Sequence, residues 1–283
     1  MNTVDLTIIG GGPVGLFASF YAGLRGMSVR IIDSLPELGG QLTALYPEKY
    51  VYDVPGFPKI LAKDLAKEMV EQGLEYDPEV ILEDTAEGLV KTDEGYLITT
   101  AKGLQCPTKA VIIAAGAGAF TPTKVGVPRE EEMVGKGVHY GVRDKSVFQD
   151  KKIAIVGGGD SAMDWCMNLC DVASHITLVH RRDVFRAHED SIEKVRDGLK
   201  IPFKLFWVVK ELHGEDRLEG LTIENTQTKE TEYMECDALC VNIGFKSSIG
   251  PIKEWGLEIV KNQIVVDRKF ETNLPGVFAC GDV

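Results

Sequence analysis

Three glycines near the N-terminus have the spacing of a phosphate-binding turn. In the stretch IIGGGPVG, Gly10, Gly12 and Gly15 fit the pattern G-x-G-x-x-G. The first glycine of such a turn permits a tight bend, the second lets the backbone approach a pyrophosphate, and the third lets a helix pack closely on a strand. The free N–H groups at the start of that helix favour a negatively charged ligand. The pattern therefore predicts binding of a dinucleotide.

A second turn of the same kind lies in the middle of the chain, in the stretch IVGGGDSA. Gly157, Gly159 and Ala162 fit the related pattern G-x-G-x-x-A. The same phosphate-binding chemistry is expected at this turn, because the residue types and their spacing match. Two dinucleotide sites in one chain indicate that electrons pass between two cofactors.

The residues that follow each turn at the position of the adenosine ribose differ in charge. After the first turn this residue is Asp33, whose carboxylate can accept hydrogen bonds from the ribose hydroxyls. The same offset after the second turn falls on the stretch HRRDVFR, with His180, Arg181, Arg182 and Arg186. Guanidinium groups bind a 2′-phosphate, and a protonated histidine adds a hydrogen-bond donor to it. A carboxylate at this position would repel the phosphate. The first site therefore suits an unphosphorylated ribose and the second NADP(H); a solvated basic turn is the alternative.

The apolar pattern shows which elements must hold these turns. VDLTIIG and SVRIID are short apolar strands on either side of the first turn, and VGLFASFYAGLRG has the apolar spacing of a helix. KKIAIV, AMDWCMNLCDVA and HITLVH repeat the order of strand, helix and strand around the second turn. This order is the βαβ unit of an α/β fold with a parallel sheet. A glycine turn without a ligand is the alternative at the first position.

Composition argues against several other function classes. The formal net charge of −12 over 283 residues argues against a nucleic-acid surface, which needs a basic face. No apolar run approaches the length of about 20 residues that spans a membrane, and the N-terminus lacks the charged start of a signal peptide. The six cysteines include no C-x-x-C pair, so we expect small buried side chains rather than a zinc site. These features predict a cytosolic protein without a metal.

Five stretches occur in an order that resembles the thioredoxin-reductase-like flavoproteins. They are IIGGGPVG, GGQLTALYP, AVIIAAGAGAFTP, GGGDSAMDW with HRRDVFRA, and TNLPGVFACGDV. The resemblance covers essentially the whole chain and implies FAD at the first turn and NADPH at the second. It also implies two Rossmann-like nucleotide-binding domains of the three-layer ββα type. The NADPH domain, residues 118–242, is then inserted between two parts of the FAD domain, residues 1–117 and 243–283.

The resemblance also assigns individual residues to the FAD site. The glycines and the acid of the first site match positions that hold the FAD phosphates and ribose. Gln41 and Tyr46 match positions at the flavin end, where a glutamine can hydrogen-bond the ring and a tyrosine can stack on it. Ala86 matches a position where the backbone meets the adenine, Phe120 lies at the crossing into the second domain, and Asp282 matches an acid at the ribityl and pyrophosphate region. A half-buried loop aromatic is the alternative for Tyr46.

One departure from the thioredoxin reductases concerns the electron acceptor. In those enzymes a C-x-x-C pair follows a G-V-x-Y stretch, and the two cysteine positions hold Gly141 and Asp144 in this chain. Neither residue forms a disulfide, so the dithiol relay to thioredoxin is missing. The segment GVHYGVRD instead resembles the ferredoxin/flavodoxin–NADP+ reductases of the thioredoxin-reductase-like type. That resemblance implies hydride transfer at the flavin N5, single electrons passed to a small acidic carrier (ferredoxin or flavodoxin), no general acid or base, and a homodimer.

Two other functions remain open. One is a different NADPH oxidoreductase of the same fold, either an oxidase or a thioredoxin reductase that relies on a separate dithiol protein. The other is a non-catalytic flavin or nucleotide sensor.

Docking of an acidic carrier requires a local positive surface on this acidic chain. Lys59, Lys63 and Lys67 predict one if they share a helical face, with an ordinary solvated face as the alternative. Members of the resembled family continue for several dozen residues past the equivalent of Asp282. We therefore expect the chain, which stops at Val283, to lack the segment that covers the flavin ring.

Overall fold

The computed structural model describes residues 1–116, 118–142 and 144–283, with the backbone alone at residues 119–121 and 246–247. In chain order the strands are β1 (Val4–Ile9), β2 (Val29–Ile32), β3 (Tyr50–Val51), β4 (Ile60–Leu61), β5 (Glu79–Ile81), β6 (Ala86–Thr92), β7 (Gly95–Thr100), β8 (Gln105–Ile113), β9 (Ala119–Pro122), β10 (Val138–His139), β11 (Lys152–Gly157), β12 (His175–His180), β13 (Phe203–Leu205), β14 (Trp207–His213), β15 (Gly220–Asn225), β16 (Thr231–Glu235), β17 (Ala238–Asn242), β18 (Phe245–Ser248), β19 (Ile259–Val260), β20 (Gln263–Ile264) and β21 (Val277–Ala279). The α-helices are α1 (Pro13–Leu24), α2 (Gln41–Ala44), α3 (Ala62–Gly73), α4 (Asp160–Leu169) and α5 (Glu189–Glu193). None of the helices that the structure describes has the length and apolar character needed to cross a membrane.

The chain forms two compact units. The first combines Met1–Phe120 with Ser247–Val283, and the second is Thr121–Lys246. The second unit is therefore an insertion in the first. Its two boundaries lie a few residues beyond the sequence-predicted divisions after residues 117 and 242. Each connection runs through a short strand, β9 or β18.

The first unit is built on a seven-stranded sheet. The order is β5-β2-β1-β8-β7-β6, and β21 also pairs with β8. β5, β2, β1, β8 and β21 are parallel, whereas β8, β7 and β6 run antiparallel. Leu16 of α1 lies in one buried cluster with Ile8 of β1 and Ile31 of β2. These contacts hold β1, α1 and β2 together as the predicted first βαβ unit.

A second apolar face of α1 points to solvent. Val14, Phe17, Tyr21 and Leu24 recur at spacings of three and four residues, and 41% to 55% of each residue is exposed. The rings of Phe17 and Tyr21 lie 6.2 Å apart between centres. Large apolar side chains concentrated on one exposed helix face commonly mark a contact with another molecule.

The second unit contains a parallel sheet and a smaller antiparallel sheet. The parallel sheet has the order β10-β17-β11-β12-β13, and the antiparallel sheet has the order β14-β15-β16. α4 connects the adjacent parallel strands β11 and β12, which is the predicted second βαβ unit. Val156, Leu239 and Leu221, from β11, β17 and β15, belong to one buried cluster. The α/β class expected from the sequence is confirmed.

The predicted stripe of three lysines is wrong at its first residue. α3 begins at Ala62, so Lys59 lies outside this helix, directly before β4. The Lys59 ammonium lies 3.7 Å from the centre of the Tyr50 ring. Lys63 forms an ion pair with Glu48 at 2.9 Å. The helix starts late because β4 pairs with β3 as a short hairpin, a contact that apolar periodicity does not reveal.

Candidate functional site

The first glycine turn leaves backbone groups available for an anion. α1 begins at Pro13 with Gly12 as its N-cap, and no side chain caps the helix start. Gly10 has a φ of 106°, and a Cβ there would overlap the carbonyl of Ala114. A Cβ at Gly15 would overlap the Gly10 carbonyl, so the helix can approach the end of β1 only because Gly15 lacks a side chain. The first N–H groups of a helix have no partner within it, which fits them to a pyrophosphate.

Asp33 lies directly beside this turn. It is 7% exposed, and its carboxylate accepts the Gly11 N–H at 2.5 Å and the Leu35 N–H at 2.8 Å, one on each oxygen. A carboxylate oxygen can accept more than one hydrogen bond, so both oxygens retain capacity for ribose hydroxyls. Burial raises the pKa of Asp33, and the bonds from Leu35 and Gly11 partly oppose that rise. The turn and this acid together fit the adenosine half of FAD.

The raised pKa of Asp33 predicts a pH dependence of FAD affinity. Only the ionised carboxylate accepts hydrogen bonds on both oxygens, so affinity should be full above this pKa and fall as the pH drops through it. Because burial raises the pKa, the fall should begin at a higher pH than an exposed aspartate, with its pKa of about 3.9, would give. Flavin fluorescence titrations from neutral to mildly acidic pH measure the effect. Asp33→Asn should bind FAD more weakly, with no such pH dependence; the same slope in that variant would contradict the assignment.

The residues predicted for the flavin end lie together in the first unit. Gln41 is the first residue of α2, and its Oε1 lies 3.5 Å from the Tyr46 hydroxyl. Tyr46 packs beside Leu42 in the small cluster under α2 and α3. Burial raises the pKa of Tyr46, and the charges of Asp282 and Asp53 add to that rise. Asp282 is therefore within electrostatic reach of Tyr46, and the three predicted residues share one corner of the unit.

The remaining predicted FAD residues are Ala86 and Phe120. Ala86 is buried at the start of β6. Two residues earlier, the backbone N–H of Asp84 donates to the Asp33 carbonyl at 3.2 Å. The start of β6 therefore lies close to Asp33, the residue predicted to bind the ribose. Phe120 belongs to β9, and its side chain lies outside the described part of the structure. The assignment of Phe120 stays a prediction.

A cavity of about 890 Å³ opens in the second unit at the carboxyl ends of its parallel strands. The ends of β11, β12 and β17 line it, together with Thr123, residues 125–128 and parts of β14 and β15. A volume of several hundred Å³ is typical of a site for a cofactor or another large ligand. The carboxyl edge of a parallel sheet is also where open α/β folds bind nucleotides.

The second glycine turn forms the floor of this cavity. A Cβ at Gly157 would overlap the carbonyl of Asn242, on the neighbouring strand. Gly159 is the N-cap of α4, with no side-chain cap and no protein atom within 4 Å of a Cβ built there. Ala162 is buried one turn into the helix. The turn therefore offers the same free helix start as the first turn, next to open space that suits a pyrophosphate.

Three arginines stand at one end of the cavity. Arg181, Arg182 and Arg186 all line it and are all exposed. Across the described residues, no carboxylate pairs with any of the three guanidinium groups. The backbone N–H of Arg186 donates to the carbonyl of Gly158 at 2.7 Å. This bond joins the loop that contains the three arginines to the glycine turn. Unpaired guanidinium groups at the ribose end of a nucleotide cavity fit a 2′-phosphate.

His180 lies behind the arginines and is engaged within the protein. Its side chain is largely buried, its Nε2 lies 3.1 Å from the Val184 carbonyl, and its ring stacks on Phe185 with centres 4.8 Å apart. The ring covers Gly158 so closely that a Cβ on that glycine would overlap it. Burial lowers the pKa of His180, and the charges of Arg182 and Arg181 lower it further. In this position the imidazole supports the turn, and its place as a third phosphate donor stays a prediction.

Three residues at the cavity had no signal in the sequence. Trp207, Lys210 and Glu224 line it from the antiparallel sheet, and Lys210 forms an ion pair with Glu224 at 3.5 Å. Lys204 places its ammonium 5.5 Å from the centre of the Trp207 ring. No motif marks these positions, because only the packing of β14 and β15 against the parallel sheet brings them to the arginines.

Cysteine and metal chemistry have no visible site in the described residues. All six cysteines are free, and burial raises the pKa of the Cys236 thiol to about 12. Within the same residues, no group of three or more His, Cys, Asp or Glu side chains could hold a metal ion. Asp144, at one of the positions of the thioredoxin reductase cysteines, instead accepts the Ser146 N–H at 2.8 Å and caps a short 3₁₀ turn.

Comparison with known proteins agrees with this geometry. Residues 4–283 match the model of the pyridine nucleotide-disulphide oxidoreductase family. Ferredoxin–NADP reductase 2 of Shouchella clausii is 49% identical over 280 residues, which cover 99% of this chain and 84% of that protein. Ferredoxin–NADP reductase of Thermus thermophilus is 48% identical over 282 residues, with the same coverage of both chains. Among solved structures, thioredoxin reductase of T. acidophilum has a TM-score of 0.88 at 26% identity and covers 100% of this chain and 91% of its own.

Proposed function

Since the chain belongs to the pyridine nucleotide-disulphide oxidoreductase family and is an oxidoreductase that uses FAD and NADP(H), we propose that it moves electrons between NADP(H) and a small one-electron carrier, a ferredoxin or a flavodoxin. The observation that carries the proposal is the cavity with three unpaired arginines at its ribose end. It supports NADP(H) as one partner. Gly141 and Asp144, which stand where a redox cysteine pair would be, support an acceptor other than thioredoxin.

The proposed reaction needs binding and orientation from the protein rather than acid or base catalysis. Bound FAD would supply the redox chemistry, by hydride exchange at the flavin N5 and release of single electrons. The first glycine turn and Asp33 hold the phosphates and ribose of that cofactor. Tyr46 and Gln41 orient its flavin end, and the aromatic ring of Tyr46 excludes water from one side. The second turn and the arginines hold NADP(H).

A pair of acceptor assays tests the proposed carrier. NADPH with a bacterial ferredoxin should give steady ferredoxin reduction, followed through cytochrome c. NADPH with thioredoxin should give no disulfide reduction above background, because no two of the six cysteines form a C-x-x-C pair and Gly141 and Asp144 stand at the relay positions. The protein is loaded with FAD first, and ferricyanide serves as the control acceptor, which any reduced flavoprotein reduces.

Each other outcome of these assays selects another function. Turnover with thioredoxin but not with ferredoxin would identify a disulfide reductase that uses other cysteines. Turnover with oxygen alone would identify an oxidase. Ferricyanide reduction without either protein acceptor would reject the carrier and retain only NADPH-dependent flavin reduction.

The proposal extends to assembly and location. A homodimer is supported by the exposed apolar side chains of α1, which a second copy could cover. Light scattering of the FAD-loaded protein gives the mass that tests the homodimer, and a monomer at micromolar concentration would reject the homodimer.

Six free cysteines support a reducing compartment, in keeping with the proposed cytoplasmic location.

A further inference from the structure

We propose that Glu130 is a positioning residue for the nicotinamide half of NADP(H), and that Tyr140 holds it in place. The proposal rests on the proposed use of the second cavity for NADP(H). Glu130 is 3% exposed, although a buried carboxylate is costly unless it is well bonded. Its neighbours on the chain, Glu131 and Glu132, are exposed. The burial of this one acid therefore requires a reason.

Four donors converge on the Glu130 carboxylate. Oε1 accepts the Val125 N–H at 2.8 Å and the Tyr140 hydroxyl at 2.6 Å. Oε2 accepts the Gly126 N–H at 2.7 Å and the Val127 N–H at 3.4 Å. Both oxygens are thus fully used, and three successive backbone N–H groups are fixed by one side chain. Burial raises the pKa of Tyr140, and its bond to Glu130 raises it further, so the hydroxyl keeps its proton and remains a donor.

The segment fixed in this way forms one wall of the cavity. Thr123 and residues 125–128 line it, and the side chains of Val125 and Val127 pack on the core of the unit. The Thr123 N–H donates to the Gly244 carbonyl at 2.9 Å, which joins the wall to the residues that follow β17. Core packing and the bonds to Glu130 therefore restrain the same few residues from two sides.

The strand order shows which half of a dinucleotide this wall would meet. In the parallel sheet, β11 lies between β12 and β17. The arginines follow the end of β12, and the glycine turn follows the end of β11. A ligand with its 2′-phosphate at the arginines and its pyrophosphate at the turn therefore extends toward the end of β17. That end lies beside residues 123–128, so the wall fits the nicotinamide half and not the adenosine half.

Tyr140 also gives a role to the segment GVHYGVRD. In this segment the thioredoxin reductases carry their cysteines, and this chain carries Gly141 and Asp144. Tyr140, which directly precedes Gly141, donates a hydrogen bond from its hydroxyl to the Glu130 carboxylate. The segment thus contributes to the shape of the nucleotide cavity without any redox cysteine.

Calorimetric titration of the FAD-loaded protein with NADP+ and with 2′,5′-ADP tests the proposal, because the second ligand lacks the nicotinamide half. Glu130→Gln faces an amide NH₂ toward backbone donors, so residues 125–127 lose the restraint that the carboxylate supplies and keep only their core packing. We expect the Kd for NADP+ to rise about tenfold and kcat with NADPH to fall about tenfold or more, with the Kd for 2′,5′-ADP changed less than about twofold. Tyr140→Phe removes one donor and should give the same pattern at a smaller size. Glu132→Gln, an exposed acid paired with Arg129 at 3.3 Å, is the matched control.

Three results would overturn parts of this account. If Glu130→Gln matches Glu132→Gln for both ligands, Glu130 does not position the nucleotide. Equal losses for NADP+ and 2′,5′-ADP in both Glu130→Gln and Tyr140→Phe would show that the pair only supports the fold of the unit. If the unaltered protein binds neither ligand, the proposed NADP(H) site itself is wrong, whatever the variants do.

Discussion

Replacing Arg181 or Arg182 by alanine should lower kcat/KM for NADPH by about tenfold to 150-fold and leave kcat/KM for NADH almost unchanged. Each charge-assisted hydrogen bond to the 2′-phosphate contributes about 1.5–3 kcal/mol, which corresponds to that range of affinity. NADH carries no such phosphate and loses nothing. The two losses should not add, because both arginines share one phosphate and their effects are coupled.

Initial rates with both nucleotides, measured with ferricyanide as acceptor, give this specificity ratio for each variant. Arg196→Ala is the matched control, since Arg196 is exposed in the same unit, pairs with Asp197 and does not line the cavity. Equal losses for NADPH and NADH would mean that the arginines hold the shared pyrophosphate or the loop. In that case the discrimination between the two nucleotides would have to come from Lys210 and other residues of the cavity.

Alanine substitutions at two adjacent glycines of the second turn should affect different properties, one the stability of the protein and the other its affinity for NADP+. A Cβ at Gly158 would overlap the ring of His180, which is buried and held by Val184 and Phe185. Gly158→Ala should therefore lower the free energy of unfolding by about 1–3 kcal/mol, the usual cost of overpacking a buried site. Gly159 has an extended backbone with φ −107° and no protein atom within 4 Å of an added Cβ. Gly159→Ala should leave stability unchanged and weaken NADP+ binding about tenfold or more, because the methyl group occupies space needed for close approach of the pyrophosphate.

Denaturant unfolding and NADP+ titration on both variants separate these two effects. Full-strength NADP+ binding by Gly159→Ala would show that the pyrophosphate does not approach this residue. Unaltered stability of Gly158→Ala would show that His180 can leave its position at little cost. His180→Ala should cost less stability in the Gly158→Ala background than in the unaltered protein, because removal of the ring also removes the overlap with the new methyl group.

The two βαβ units could be predicted because each is a local pattern. Strand, glycine turn and helix follow one another within a short stretch, and the turn residues have a single geometric purpose. The α3 boundary could not be predicted in this way, because Lys59 precedes a two-residue strand whose partner is β3. Apolar spacing describes one element at a time and contains no information on pairing between elements.

The candidate site was predictable to a similar degree. A fixed offset after a glycine selects Asp33 and the arginines, because βαβ nucleotide-binding units place a residue near the ribose there. The structure puts Asp33 beside the first turn and the arginines at the second cavity, and their roles toward a ribose stay predictions. The offset also selects His180, but it does not reveal that the imidazole ring folds over Gly158. Trp207, Lys210 and Glu130 come from segments distant from the turn in the sequence. Their contribution depends on packing that no short motif records.

The position of Trp207 gives the protein an intrinsic optical reporter. The chain has three tryptophans, and Trp165 and Trp255 are buried in packed interiors. Of these three, Trp207 alone lines the cavity of the second unit, with the Lys204 ammonium near its ring. A ligand that enters this cavity should change the surroundings of this indole directly, whereas burial shields the other two indoles from direct contact. The change in tryptophan emission on adding NADP+ should therefore report occupancy of this cavity without a label, and Trp207→Phe should reduce that change.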